Sequence, residues 1–261
     1  MSEALNYSSY LHVPELLALQ EPRSDGPEHD EMLFIVIHQV YELWFKQVLH
    51  EVDFVGGLLT SGDLPRAGHT LKRILTIMKV LVAQLDILET MTPVEFLSFR
   101  ERLEKGSGFQ SYQFREFEMV LGYKREFMVE HFPQPDVQKR LRARFEAPTA
   151  WDALLRCLVS QGYSVPEAQL NREVTQKIEE SEALQDVLIE VYRNDPRLAE
   201  LLERFVDMDE GLMEWRYRHV KMVERTIGMK RGTGGSEGAA YLHKTLNQPV
   251  FPDLWAIRGR L

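Results

Sequence analysis

The chain has almost no cysteine, no long apolar run and no surplus of positive charge. Of its 261 residues one is cysteine, Cys157, so no disulfide can close within the chain and a reducing compartment suits it. Its setting, LLRCLVS, reads as that of a small buried hydrophobe. No stretch approaches the roughly 18 apolar residues of a membrane span. The N-terminal MSEALNYSSYLHVPELLALQ lacks the basic segment and apolar core of a signal peptide, so a cytoplasmic protein without membrane contact is expected. Acidic residues outnumber basic ones, 40 to 31, and the net charge of −9 argues against general nucleic-acid binding. The C-x-x-C-H motif is missing, which excludes haem attached covalently in that way. Also missing are H-E-x-x-H, a Walker A loop and G-x-S-x-G. Zinc-hydrolase, P-loop and serine-hydrolase chemistries are correspondingly weak readings.

What is present is helical periodicity. A hydrophobic fraction of 44% supports a packed core, and a charged fraction of 27% is ordinary. Apolar residues recur at spacings of three and four, whereas strand-like alternation is scarce, so the expectation is one mainly α domain. The first strong helix is predicted over 30–55, where Leu33, Phe34, Ile37, Tyr41, Trp44, Val48 and Val52 trace one stripe. A break at TSGDLP precedes a second helix over 66–90. Thr92-Pro93 opens a third, with Phe96 and Arg100 one turn apart. Single helices are expected over 112–131 and 165–194, with a basic and then an apolar helix within 133–163; the 133–195 stretch could form a helical subdomain. Residues 195–215 lead into a further helix, and the tail ends in a short apolar segment suited to docking.

The stretch Trp215 to Gly238 stands out. Leu212, Trp215, His219, Met222 and Thr226 share one helical face, while Glu214, Arg216, Arg218, Lys221, Glu224 and Arg225 fall elsewhere and are expected to be wet. His219 thus faces an interior or a bound group. From the residue alone it is either a core histidine bonded to a backbone carbonyl or a metal or haem ligand. A glycine-rich loop follows, with Gly232, Gly234, Gly235 and Gly238 between hydroxyls and two cations, suited to close approach of an anionic group. His38 sits one turn after Phe34 and carries the same two readings.

Three blocks then carry a resemblance: LFIVIHQVYELWFK (33–46), FLSFRERLEKGSGFQSYQFRE (96–116) and WRYRHVKMVERTIGMKRGTGGSEG (215–238). In sequence, order and separation they closely resemble the tryptophan 2,3-dioxygenase family. The N-terminal YSSYL and the closing FPDLWAIR resemble its bacterial members. The resemblance covers nearly the whole chain. It implies an all-α, helical-bundle haem domain of the tryptophan/indoleamine dioxygenase type, binding one non-covalent haem b per subunit in a homotetramer built as a dimer of dimers. The implied reaction inserts both atoms of O2 across the indole C2–C3 bond of L-tryptophan to give N-formyl-L-kynurenine.

The resemblance also assigns residues. His219 matches the axial ligand of the haem iron, and His38 the catalytic distal histidine that hydrogen-bonds the indole N–H. Phe34, Ile35, Val36 and Ile37, together with His38, match a substrate-pocket block. Arg100 matches the residue that pairs the substrate carboxylate, and Phe96 lies one turn before it. Thr233 matches a loop threonine at the substrate ammonium end, beside a haem propionate, and Ser107 a loop residue near the distal side. Tyr7, Tyr10 and Leu11 match residues of an N-terminal arm (1–30) that reaches from the catalytic domain (31–261) into a neighbouring subunit's pocket. Phe96 stands where some members carry tyrosine, and Ile37 where some carry a polar residue. Because an indole N–H is a very weak acid, His38 is expected to position substrate and not to deprotonate it first.

Overall fold

The computed structural model describes residues 4–26, 28–230, 232 and 238–261. Every regular element among them is helical. The arm forms α1 (Tyr7–Leu11) and α2 (Val13–Leu17). They are followed by α3 (His29–Ser61), α4 (Leu64–Leu88), α5 (Pro93–Phe99), α6 (Tyr112–Leu121) and α7 (Phe127–Glu130). Next come α8 (Pro135–Glu146), α9 (Ala150–Ser160), α10 (Glu167–Leu170), α11 (Glu182–Asn194) and α12 (Pro196–Ile227). The short α13 (Ala239–His243) and α14 (Pro252–Ala256) complete the chain. Among the described residues no helix is long and apolar enough to cross a membrane.

Local chemistry sets the helix ends. Gly62, at φ 74°, closes α3 in a conformation that costs other residues more. Asp63 then caps α4 by accepting from the Arg66 N–H at 3.2 Å, with Pro65 in the first turn. At α5, Thr92 and Glu95 form a capping box, Thr92 N–H donating to Glu95 at 2.6 Å. Helix α4 packs between α3 and α12, and α6 and α9 lie against α3. The apolar stripe of α4, including Leu71, Ile74, Met78, Leu81 and Leu85, is buried in that sandwich. Each such side chain contributes about 1.5–3 kcal/mol of hydrophobic stabilisation. Trp151 and Leu154 of α9 and Leu188 of α11 join the same core. The C-terminal segment docks as expected: Phe251 is fully buried and stacks on Trp151 at 5.4 Å.

Two predicted helices are broken. The 112–131 stretch ends its first helix at Gly122, whose φ is 112°; a Cβ there would sit 2.4 Å from the Ile178 Cδ1 atom. The chain turns at Gly122 because only glycine permits both that backbone and that contact. The 165–194 stretch divides into α10 and α11. Between them Arg172 donates to Asp152 of α9 at 2.7 Å, and Ile178 fills the space beside Gly122. These tertiary contacts override the helical pattern.

Arg216 corrects another expectation. It belongs to a helix face predicted to be wet, yet it is 3% exposed. It meets Glu118, which is 2% exposed and also receives Arg115 and Arg125. This cluster fastens α6 to α12. Burial alone would push the Glu118 carboxyl upward, but the surrounding guanidiniums outweigh it and hold it below the ordinary carboxylate range.

The arm, by contrast, is hardly packed. No residue of α1 or α2 is buried, and Tyr7 and Tyr10 are 77% and 68% exposed. Further along, Glu31 is buried and accepts the Arg23 and Ser24 N–H groups, which ties the end of the arm to α3.

Two stability predictions arise here. Asp209 is fully buried and accepts from the Val250 and Phe251 backbone and the Trp255 indole. Asp209→Ala should lower unfolding free energy in urea by roughly 2–4 kcal/mol; a change within error would mean that the tail is held by packing alone. For Glu118, a depressed folded pKa gives stability that is full at neutral pH and lost as pH falls through the folded value. Glu118→Gln should therefore cost about 3–5 kcal/mol at neutral pH, and the gap from wild type should narrow on acidification. A gap that stays constant down to acid unfolding would contradict an ionised Glu118.

Candidate functional site

A cavity of about 240 Å³ lies between α3, α6 and α12 and is bordered by Gly106, Ser107 and Gly108 after α5 and by Gly232, Gly238 and Tyr241 after α12. It is far larger than the water-sized voids of an ordinary core. The helical repeat selects what each element contributes. From α3 come Phe34, His38, Tyr41, Glu42 and Phe45, which share one face. From α12 come Trp215, Arg216, His219 and the aliphatic Val220 and Val223.

His219 and His38 enter this one space from different helices. Trp215 stacks on the His219 ring at 4.9 Å and 6° and is itself wedged against Phe114 at 4.6 Å. The imidazole orientation is thus fixed by packing. His219 makes no hydrogen bond among the described residues, and no acceptor for its second nitrogen emerges. Burial first, then the nearby His38 and Arg115, pull its pKa down to about 4. At neutral pH it is an uncharged ring with a lone pair to give.

His38 is held differently. Its Nδ1 lies 2.7 Å from the Phe34 carbonyl oxygen. A carbonyl can only accept, so Nδ1 carries the proton and Nε2 on the other edge of the ring is an acceptor. Burial lowers its pKa, against the Phe34 hydrogen bond and the Glu42 charge, which favour the protonated form. Glu42 is held in turn by Gln113, whose amide donates to its carboxylate at 2.8 Å and its carbonyl at 2.9 Å.

An aromatic wall borders His38. The rings of Phe34, Phe96 and Phe99 lie 5.5–5.7 Å apart in pairs, and the Phe34 ring is 4.1 Å from His38. Arg100 lies one turn beyond Phe96 where α5 tightens into a 3₁₀ turn (Arg100–Leu103), and it lines the cavity half-buried. Ser107 also lines it and accepts from the Phe109 N–H at 3.3 Å.

Of the residues expected at the site, Phe34, His38, Phe96, Arg100, Ser107 and His219 come together in this cavity. Ile35, Val36 and Ile37 do not line it. The helix turns them away, leaving Val36 39% exposed and Ile37 in the core. Tyr7, Tyr10 and Leu11 lie exposed, outside their own chain's cavity. Thr233 lies outside the described residues, although Gly232 and Gly238 on either side of it do line the cavity. Sequence reasoning missed Arg115, Glu118 and Arg216. The Arg115–Glu118 spacing of three was the available signal, but it is also that of any solvated surface pair.

The donor set suits a haem better than a bare ion. Among the described residues no group of three or more His, Cys, Asp or Glu could cage a metal. An uncharged imidazole that makes no hydrogen bond among the described residues, facing a roomy and largely apolar cavity, fits a metal that arrives already chelated by an apolar macrocycle.

Comparison with known proteins agrees along the whole length. The sequence model of the family described as tryptophan 2,3-dioxygenase matches residues 1–138 and 133–261. A tryptophan 2,3-dioxygenase of Herpetosiphon aurantiacus is 59% identical over 261 residues, covering 100% of both chains. That of Anaeromyxobacter dehalogenans is 56% identical over 262 residues, covering 100% of this chain and 97% of the relative. That of Caulobacter vibrioides is 43% identical over 265 residues, again with 100% of both covered.

Proposed function

The chain belongs to the tryptophan 2,3-dioxygenase family, and on that premise we propose how its own residues carry the family's reaction. That reaction adds both atoms of dioxygen across the indole C2–C3 bond of L-tryptophan, yields N-formyl-L-kynurenine and begins tryptophan degradation by the kynurenine pathway. The family is haem-dependent. In this chain the cofactor is haem b, one per subunit without covalent attachment, and when bound it supplies the iron that activates dioxygen.

The observation that carries the residue assignment is the pair of uncharged imidazoles brought into one cavity from α3 and α12. His219 would hold the haem iron, because its ring is fixed by Trp215 and no hydrogen bond among the described residues competes for it. His38 is on the substrate side. Its Nε2 accepts the indole N–H, a role its tautomer permits because the Phe34 carbonyl takes the Nδ1 proton. Phe34 and Phe96 flank the indole ring. Arg100 pairs the substrate carboxylate through charge-assisted hydrogen bonds worth roughly 1.5–3 kcal/mol. Positioning by these groups aligns C2 and C3 for reaction, and the apolar walls keep water away.

Thr233 contacts the ammonium end of the substrate, and Ser107 borders the distal side. The exposed aromatics of the arm support an assembly in which Tyr7, Tyr10 and Leu11 complete a neighbour's pocket, in a homotetramer formed as a dimer of dimers. The site of action is the cytoplasm.

The reaction is tested by giving haem-loaded, reduced protein L-tryptophan and isotopically labelled dioxygen; N-formylkynurenine bearing two labelled oxygens is the expected product, and one labelled atom would contradict it. Arg100→Ala should weaken L-tryptophan binding about 10- to 100-fold while changing the affinity for 3-methylindole little. Equal losses would make Arg100 structural. His219→Ala should abolish the normal haem absorption spectrum, and a variant keeping both that spectrum and full turnover would refute the axial role.

A further inference from the structure

The buried cluster around Glu118 is electrically lopsided. Arg115, Arg125 and Arg216 all pair with the one carboxylate of Glu118, so the group carries two more positive than negative charges. Unbalanced charge in an interior is costly unless a counter-charge is supplied. Arg125 and Arg216 each give both Nη groups to protein partners, although among the described residues each, like Arg115, keeps a buried Nε without a hydrogen bond. Arg216 gives Nη1 to the Thr245 and Gln248 carbonyls at 3.3 and 3.0 Å. Arg125 gives Nη1 to the Tyr241 hydroxyl.

Arg115 differs. It is 6% exposed and lines the same cavity as His219. Of its nitrogens only Nη1 makes a hydrogen bond among the described residues, to Glu118 at 2.7 Å, and its Nε is buried without one. The guanidinium is held in place by the rings of Phe109 and Phe114, whose centroids lie 5.0 and 5.2 Å away. A rigid, desolvated guanidinium with one edge open is built to accept a carboxylate.

We propose that Arg115, oriented by Glu118, receives a carboxylate of the porphyrin. Haem b bears two carboxylates, which match the surplus charge of the cluster. This inference rests on the haem reading above and adds a residue to it: His219 would hold the metal, and Arg115 would anchor the porphyrin by one carboxylate. Glu118 is the positioning residue. Its removal would leave Arg115 free to turn away from the cavity.

The test is cofactor retention by the full-length protein loaded with either iron protoporphyrin IX or its dimethyl ester, which lacks both charges. Release is followed by transfer to excess apomyoglobin. Wild type should hold the free acid about tenfold or more tightly than the ester. Arg115→Met should release the free acid about 10- to 100-fold more readily while the ester is affected less than about threefold. Arg115→Lys keeps the charge, guards against a mere failure to fold, and should fall between the two. Equal losses of both porphyrins in Arg115→Met, or unchanged retention of the free acid, would overturn the assignment. Wild type holding acid and ester equally would overturn it while leaving the haem reading intact. Failure of wild type to hold either porphyrin would overturn both.

Discussion

Three guanidiniums converge on the buried carboxylate of Glu118, and the geometry of the cavity depends on that convergence. Arg115 comes from the same helix, α6. Arg125 comes from the turn that Gly122 makes possible, and Arg216 from α12, one turn before His219. Through Arg216 the cluster reaches the Thr245 and Gln248 carbonyls, and through Arg125 the Tyr241 hydroxyl. One acidic side chain thus fixes the spacing between the helix that carries His219 and the segment from Tyr241 to Gln248. Removing one member of a buried ionic set costs more than forming it yields, because the others are left without compensation. Such a cluster adds little net stability but strongly favours a single arrangement.

Around that frame the chemistry is set by burial. His219 and His38 are the same residue type, yet their surroundings give them different tasks. His219 is stacked, makes no hydrogen bond among the described residues and is held uncharged by its surroundings. His38 has one nitrogen committed to its own helix, so the other can only accept. Neither role needs an unusual side chain. Each follows from which atoms of the ring the packing leaves available. The aromatic triangle of Phe34, Phe96 and Phe99 then gives the cavity a stiff apolar side, and Arg100 stands at its edge.

Much of this was legible in the sequence because helical periodicity is local. The stripes of α3, α4 and α12 each placed their apolar residues correctly, and the same spacing aimed Phe34, His38 and His219 inward. The neighbouring Ile35, Val36 and Ile37 were grouped with the site by a contiguous motif. Yet a helix advances about 100° per residue, so adjacent positions cannot share a face. The missed breaks at Gly122 and between α10 and α11 have a different origin. There a distant side chain, Ile178 or Arg172, takes a position that only a non-helical backbone can meet.

By itself, then, the sequence determined the helical class, the inward histidines and, through its motif blocks, the family. Tertiary structure alone decided that Arg115, Glu118 and Arg216 are interior. Hydrophobic periodicity assigns charged residues to the wet face, and nothing local distinguishes a solvated arginine from one that meets a carboxylate 98 positions away. Only folding brings those partners close enough for the attraction between them to offset the cost of leaving water.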